Sequence, residues 1–163
     1  MTAITKIVED LQTAVSMEMA AVHQYLLHAS ILEDWGLDAL GAKMRDEMTE
    51  ELGHAEMFLQ RIIFLKGHPE IATAGTSHLA TDLGAMFEAD LRDETAAIAF
   101  YSDAARRAAD AGDIGTGRLF EAVALEEEGH KAWLELQVSL VSRMGEPLYF
   151  AMERAHSGPA NAA

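Results

Sequence analysis

EELGH (residues 50–54) and EEEGH (residues 126–130) repeat one short phrase, in which two acidic residues are followed, after one further residue, by glycine and histidine. Their histidines, His54 and His130, are 76 residues apart (130 − 54). Within each copy a glutamate stands three residues before the histidine, which places both side chains on one face of a helix. A single such pair on an acidic helix is weak evidence for a metal site, so its meaning depends on the rest of the chain.

Helical periodicity runs through almost the whole sequence. The predicted helices cover about residues 5–34, 38–66, 82–112, 113–145 and 146–155. Glycine ends the first four, and Asp82 and Asp113 are suited to cap the third and fourth. Short turns make the first two helices one antiparallel hairpin and the next two another. About fifteen residues join the hairpins and can reach about 50 Å, which exceeds the length of about 42 Å of a 28-residue helix.

The pattern therefore predicts an all-α fold, a four-helix bundle with one long crossover and a short fifth C-terminal helix. We expect a single domain over residues 1–155 and a flexible C-terminal tail over residues 156–163.

The inward-facing stripes of the first and third helices match each other. They are Leu11, Val15, Glu18, Val22, Tyr25, Ala29 and Leu32 on the first, and Phe87, Leu91, Glu94, Ile98, Tyr101 and Ala105 on the third. A shift of 76 residues superimposes six positions, with Glu on Glu, Tyr on Tyr and apolar on apolar. The same shift carries Glu51 to Glu127 and His54 to His130, so the hairpins are predicted to be copies of one unit related by a pseudo-twofold axis.

Four stripe carboxylates converge at one level of the predicted bundle: Glu18, Glu51, Glu94 and Glu127. A buried carboxylate without a partner is costly, and these stripes contain no Lys or Arg that could compensate. Two divalent metals would balance the four charges, and each histidine would complete one coordination sphere. Oxygen-rich ligation with one nitrogen per metal favours iron or manganese over zinc or calcium.

The overall composition restricts the class of protein. There are 12 basic and 27 acidic residues among 163, a net charge of −15, which repels nucleic acid and anionic lipid. Cysteine is absent, which excludes disulfides, thiolate zinc sites and iron–sulfur clusters. No apolar run is long enough for a membrane span, and the N-terminus does not have the pattern of a signal peptide. We therefore expect a cytoplasmic protein.

With these residues placed, the sequence resembles the bacterioferritins from about residue 4 to residue 154. The phrases that carry the resemblance are HQYLLHA (23–29), DWG (34–36), RIIFLKG (61–67), EEGHKAWLE (127–135) and RMG (143–145). The resemblance implies a ferroxidase centre that oxidises Fe²⁺ with O₂ or peroxide, inside a 24-subunit shell built from twofold dimers that stores ferric mineral. It assigns Glu18, Glu51 and His54 to one iron and Glu94, Glu127 and His130 to the other, with Glu51 and Glu127 bridging.

One position departs from the family pattern. Bacterioferritins usually have methionine between the Glu and His of the first motif, and two such sulfurs hold a haem between two subunits. This chain has Leu52, which cannot coordinate iron, so the departure argues against a haem. Met48 lies one turn earlier, about 6 Å away along the helix. A mixed shell, in which a second bacterioferritin subunit supplies the methionine, stays open. The apolar stripe of Met48, Leu52, Ala55 and Leu59 favours a subunit interface in either case.

Several other residues are accessory candidates. Tyr25 and Tyr101, on the stripes, could each bond a metal-bound carboxylate, donate an electron or simply be core residues. Glu47 is on a stripe one turn from Glu51, and we consider it a possible accessory metal ligand. Asp46 and Glu50 are predicted to face away from the stripe, where they could be accessory metal ligands that transfer iron or nucleate mineral at the cavity, or simply solvated surface acids. The remaining histidines receive no role: His23, His28, His68, His78 and His156.

Two other functions stay open at this point. One is a small di-iron oxidase or peroxidase of the rubrerythrin kind, working as a dimer without storage, although such proteins commonly carry a cysteine-ligated iron. The other is a mainly structural shell subunit whose metal site is occupied but slow.

Overall fold

The computed structural model describes residues 3–156, which form five α-helices and contain no β-strand. The helices are α1 (Ala3–Asp34), α2 (Asp38–Phe64), α3 (Leu83–Asp110), α4 (Ile114–Met144) and α5 (Glu146–His156). The predicted fold class is confirmed, and the ends of α1–α4 differ from prediction by at most a few residues. Helix α5 includes His156, one residue more than predicted, and the predicted tail beyond it lies outside the described residues. None of the described helices is long and apolar enough to cross a bilayer.

The two hairpin turns repeat the 76-residue offset. Gly36 (φ 72°) follows α1 and Gly112 (φ 77°) follows α3, and both adopt the left-handed conformation that glycine tolerates best. In each turn the next residue closes the helix end, since the Leu37 N–H donates to the Leu32 carbonyl and the Asp113 N–H to that of Ala108. The internal duplication therefore extends from the helices to the turns.

The end of α2 differs in detail from prediction. The left-handed residue is Lys66 (φ 62°) and not Gly67, where the helix was expected to stop. Gly67 serves close packing instead, because a Cβ atom there would lie 2.9 Å from Ile62 Cγ2 and 3.0 Å from Val8 Cγ1.

The bundle core consists of two apolar clusters with a polar layer between them. One cluster surrounds Phe58, Tyr101 and Phe120, and the other includes Phe87 and Tyr149. Helix α5 closes the second cluster through Tyr149, whose hydroxyl donates to Gln137 Oε1 at 2.6 Å. The polar layer is thus kept at mid-height by hydrophobic packing above and below it.

The cap of α4 links the two hairpins. The Asp113 side chain accepts from the Thr116 N–H (3.0 Å) and hydroxyl (2.6 Å), and pairs with Arg61 of α2 at 2.6 Å. The Asp82 side chain caps α3 through the Ala85 N–H at 2.8 Å and makes no link to Arg61.

We expect Asp113→Ala to lower the free energy of unfolding of the metal-free protein by about 2 kcal/mol, because a cap and a partly buried ion pair are lost together. The matched variant Asp82→Ala should lose about 1 kcal/mol. Urea unfolding measures both, and equal losses would contradict the proposed contribution of the link to Arg61.

Candidate metal centre

The structure brings the six predicted ligand side chains together in the polar layer. All are nearly inaccessible, with exposed fractions of 1–8%: Glu18, Glu51, His54, Glu94, Glu127 and His130. They form two clusters whose ligand atoms lie within 4.8 Å of one another. Glu51 and Glu127 belong to both clusters, which places them where bridging ligands of two metals would lie.

The two clusters are related by the pseudo-twofold axis. His54 Nδ1 lies 3.1 Å from Glu51 Oε2 and 3.2 Å from Glu127 Oε1. His130 Nδ1 lies 2.9 Å from Glu127 Oε2 and 3.3 Å from Glu51 Oε1. Each Nδ1 is also 4.0 Å from its terminal carboxylate, Glu18 or Glu94. Both imidazoles therefore present the same nitrogen to the shared carboxylates.

Several polar atoms of this layer are buried close to one another but make no hydrogen bond of acceptable geometry with the described residues. They are one oxygen of Glu51, both oxygens of Glu127, Nδ1 of His130 and one oxygen of Glu47. Each such atom costs free energy unless another group satisfies it. Divalent cations bound to carboxylate oxygens and imidazole nitrogens would satisfy them, so the residues present fit a pair of metal ions. The donor set is of the kind that suits iron and manganese.

The electrostatics show how the layer is balanced without a metal. Burial, reinforced by the charges of Glu51 and Glu127, raises the pKa of Glu94 to about 10, and burial beside Glu51 likewise raises that of Glu18. Burial opposes the charged form of Glu51, but the adjacent imidazoles of His130 and His54 outweigh it and lower the pKa of Glu51 to about 2. Protons thus compensate the carboxylates of the metal-free layer, and a bound metal has to displace them.

Two tyrosines hold the terminal carboxylates from the opposite hairpin. The Tyr25 hydroxyl on α1 donates to Glu94 Oε1 on α3, and the Tyr101 hydroxyl on α3 donates to Glu18 Oε1 on α1 at 2.5 Å. Burial, with the nearby carboxylates, raises the pKa of both phenols, which therefore remain donors. Such bonds fix the orientation of first-sphere ligands.

The expectation that Glu50 faces away from the stripe and its ligands is wrong, and its counterpart Glu126 is placed in the same way. Both side chains are 59% exposed, yet Glu50 Oε2 lies 2.9 Å from His130 Nε2 and Glu126 Oε2 lies 2.7 Å from His54 Nε2. The reason is that α2 and α4 are neighbours at this level. Glu50, one position before the stripe residue of α2, therefore meets His130 of α4, and Glu126 of α4 meets His54 of α2. The periodicity of a single helix does not reveal these contacts.

The pseudo-twofold symmetry is broken at Glu47. This residue is 2% exposed, its Oε2 lies 2.8 Å from His130 Nε2, and its Oε1 contacts Lys43. The 76-residue shift carries Glu47 to Val123, so the His54 side has no such carboxylate. Glu47, Glu50 and His130 form a third cluster with ligand atoms within 4.8 Å of one another. Asp46 is exposed and belongs to none of the three clusters.

Sequence reasoning also missed a second buried polar group. His28 is fully buried, with Nδ1 2.9 Å from Asp90 Oδ2 and Nε2 2.6 Å from Gln24 Nε2. Asp90 lies 62 residues away in sequence on another helix, so no local spacing could have paired it with His28.

A cavity of about 290 Å³ leads from the surface to the metal centre between α1 and α3. Its inner end is lined by Glu18, Glu94 and Tyr101, and its outer end by exposed His23 and by residues 74–78 of the crossover. This cavity links the exterior with the carboxylate cluster.

Comparisons with known proteins give the family. A model described as a ferritin-like domain matches residues 8–144. The Rhodobacter capsulatus bacterioferritin is 38% identical over 150 residues, which is 92% of each chain. The chain belongs to the bacterioferritin family. A Pseudomonas aeruginosa bacterial ferritin is also similar, at 34% identity over 86% of this chain and 91% of its own.

Solved bacterioferritin structures are similar to this chain over nearly its full length. That of R. capsulatus gives a TM-score of 0.90 at 37% identity, covers 100% of both chains and is described with a metal-free dinuclear site and a haem iron. That of Desulfovibrio desulfuricans gives 0.89 at 31% identity, covers 99% of this chain and 95% of its own, and is described with a diiron site in different catalytic states.

Proposed function

We propose that this member of the bacterioferritin family stores and detoxifies iron by oxidising Fe²⁺ at its metal centre. The observation that carries the proposal is the pair of buried clusters that share Glu51 and Glu127. Glu18 and His54 would complete one iron position, and Glu94 and His130 the other. The family relatives and the donor chemistry of the clusters support this assignment.

The reaction needs two electrons and two ferrous ions. Each Fe²⁺ gives one electron, and the pair reduces O₂ to hydrogen peroxide with two protons, or hydrogen peroxide to two water molecules with two protons. Two iron positions with common ligands make this transfer intramolecular. Tyr25 and Tyr101 orient the terminal carboxylates for it, and the low-dielectric surroundings strengthen the hold of the anionic ligands on the cations.

The acidic residues on the α2–α4 side would form an accessory metal position. Glu47, Glu50 and His130 supply its ligand atoms, and exposed Asp46 would extend it toward solvent. It lies on the opposite side of the centre from the cavity between α1 and α3. Iron would therefore enter on one side of the bundle and leave toward the mineral on the other.

The storage part of the proposal requires a hollow shell. We propose a cytoplasmic 24-subunit homo-oligomer built from twofold dimers, which fits the family relationship and the exposed apolar residues of α2, such as Leu52 at 52% exposure. Light scattering of the purified protein should give a mass about 24 times the 17.7 kDa chain. A dimer mass that persists across salt and protein concentration would contradict storage and favour the small di-iron oxidase or peroxidase.

A mainly structural shell subunit, whose metal site would be occupied but slow, is the second candidate. The complete ligand set argues against it, and a rapid ferrous oxidation by the purified homo-oligomer would exclude it.

We expect the purified homo-oligomer to contain no haem, since Leu52 offers no atom that binds iron. The absorption spectrum tests this, with Leu52→Met as the gain-of-binding variant and Leu52→Ile as its matched control. Haem at one per two chains in the unaltered protein would contradict the prediction, and its loss in Met48→Leu would then assign the ligand to Met48.

A further inference from the structure

The crossover is tied to α1 by two glutamines that act in the same way. Gln12 Nε2 donates to the Glu70 carbonyl (2.6 Å), and its Oε1 accepts from the Glu70 N–H (2.8 Å). Gln24 forms the same pair of bonds with His78, at 3.0 and 2.9 Å. Each side-chain amide therefore holds both polar groups of one crossover residue.

Only the second of these ties borders the cavity. Residues 74–78, here called the wall segment, form the outer side of the cavity that ends at Glu18 and Glu94. The segment is fixed at one end by the Ala74 N–H, which donates to the Ser16 carbonyl at 2.9 Å, and at the other end by Gln24. Its own residues are exposed and lie outside regular secondary structure, so these anchors set its position.

The orientation of Gln24 is itself determined by a buried chain of bonds. Because Gln24 Oε1 accepts from His78 N–H, its Nε2 must donate both to the His78 carbonyl and to His28 Nε2, 2.6 Å away. His28 Nε2 is then an acceptor, and its Nδ1 carries the proton that it donates to Asp90 at 2.9 Å. The bond that His28 donates to Asp90 thus fixes the tautomer that Gln24 requires.

These three polar residues are not part of the duplicated metal unit. The 76-residue shift places Phe100 opposite Gln24, Ala104 opposite His28 and Ala14 opposite Asp90. Small and apolar side chains therefore suffice to pack the same level of the other half of the bundle. Buried polar groups cost free energy unless they are satisfied. We therefore expect the Gln24–His28–Asp90 network to have a role beyond packing.

We propose that Gln24, supported by His28 and Asp90, is a positioning residue that holds the wall segment at a fixed distance from α1 and so limits the size of oxidant that reaches the metal centre. The inference rests on the proposed function, since it concerns access to that centre. The proposed wall segment favours a small oxidant such as hydrogen peroxide over a bulky organic hydroperoxide, because either oxidant has to pass beside this fixed segment to reach Glu18 and Glu94. Both take two electrons from two ferrous ions and break one O–O bond, giving water and either water or an alcohol with two protons.

The test compares Gln24→Ala with Gln12→Ala, which removes the same kind of tie outside the cavity. In Gln24→Ala the backbone amides of residues 74–78 should exchange hydrogen faster, and the ratio of ferrous oxidation rates with cumene hydroperoxide and hydrogen peroxide should rise by at least about tenfold. Gln12→Ala should speed exchange around residue 70 and leave that ratio unchanged. His28→Ala should also speed hydrogen exchange of residues 74–78 and raise the ratio of oxidation rates, but by less than Gln24→Ala does.

Each result decides one part of the proposal. Unchanged exchange of residues 74–78 in Gln24→Ala would overturn the positioning role, and faster exchange with an unchanged ratio would overturn the size limit. A ratio that rises equally in Gln12→Ala would also overturn it, because general loosening would then explain the change. Absence of rapid ferrous oxidation with either peroxide in the unaltered protein would contradict the proposed function, while the exchange experiment would still test the tie.

Discussion

Glu127→Ala should reduce the rate of rapid ferrous oxidation by at least about 100-fold, because loss of a second-sphere partner alone costs 10- to 100-fold at metal sites and Glu127 belongs to both metal clusters. The substitution removes an oxygen donor from each iron position at once. Stopped-flow absorbance of the oxidised iron, after Fe²⁺ is mixed with the metal-free protein, measures the rate.

The adjacent residue provides the control for this experiment. Glu128 is exposed and belongs to no cluster, so Glu128→Ala removes the same charge from α4 without touching the centre. It should oxidise iron at the unaltered rate. Equal rates in the two variants would show that Glu127 is not a ligand of the reacting iron.

Glu94→Gln should make the metal-free protein more stable and the metal-loaded protein less so. Burial beside Glu51 and Glu127 raises the pKa of Glu94 to about 10, so its carboxyl group takes up a proton on folding at neutral pH. This proton uptake lowers the free energy of unfolding at any pH above 4.5, the ordinary pKa of a glutamate. The reduction grows until the pH reaches the pKa of Glu94 in the folded protein. Glutamine keeps the shape and the bond from Tyr25 without this penalty, and we expect a gain of about 1–3 kcal/mol.

In the metal-loaded protein, Glu94→Gln should change the free energy of unfolding in the opposite direction. An ion that binds only the folded state at about 100 times its dissociation constant contributes about 2.7 kcal/mol. Glu94→Gln should lose most of the stabilisation that metal binding at one of the two metal positions provides. Urea unfolding with EDTA and with excess Co²⁺ measures both states, and Glu88→Gln, an exposed position on α3, is the control. A Glu94→Gln variant less stable than the unaltered protein in EDTA would contradict this view of the buried carboxylates.

The sequence allows the fold to be predicted in some detail because its signals are local or repeated. Helical periodicity, the glycines at the turns and the capping aspartates give the helices, and turn lengths give the two hairpins. The 76-residue offset then identifies the six side chains that the structure brings together. The offset succeeds because both copies of the unit keep Glu and His on the inward face.

The features that were missed depend on contacts between helices. Glu50 and Glu126 look solvent-facing on their own helices and meet the histidines only once α2 lies beside α4. His28 finds Asp90 across the bundle, and nothing in the spacing of either residue indicates the other. The turn after α2 shows the same limit, because Gly67 lies close to Val8 of α1 as well as to Ile62, and the spacing of α2 alone does not reveal that contact.

The most direct test of the di-iron centre is a titration of the metal-free protein with Fe²⁺ in the presence of oxidant, in which the amplitude of the rapid oxidation phase is followed. The two clusters predict that this amplitude rises in proportion to added iron and saturates at two Fe²⁺ per chain. Saturation at one Fe²⁺ per chain, or the absence of a saturable rapid phase, would contradict a centre in which Glu51 and Glu127 are shared by two metal ions.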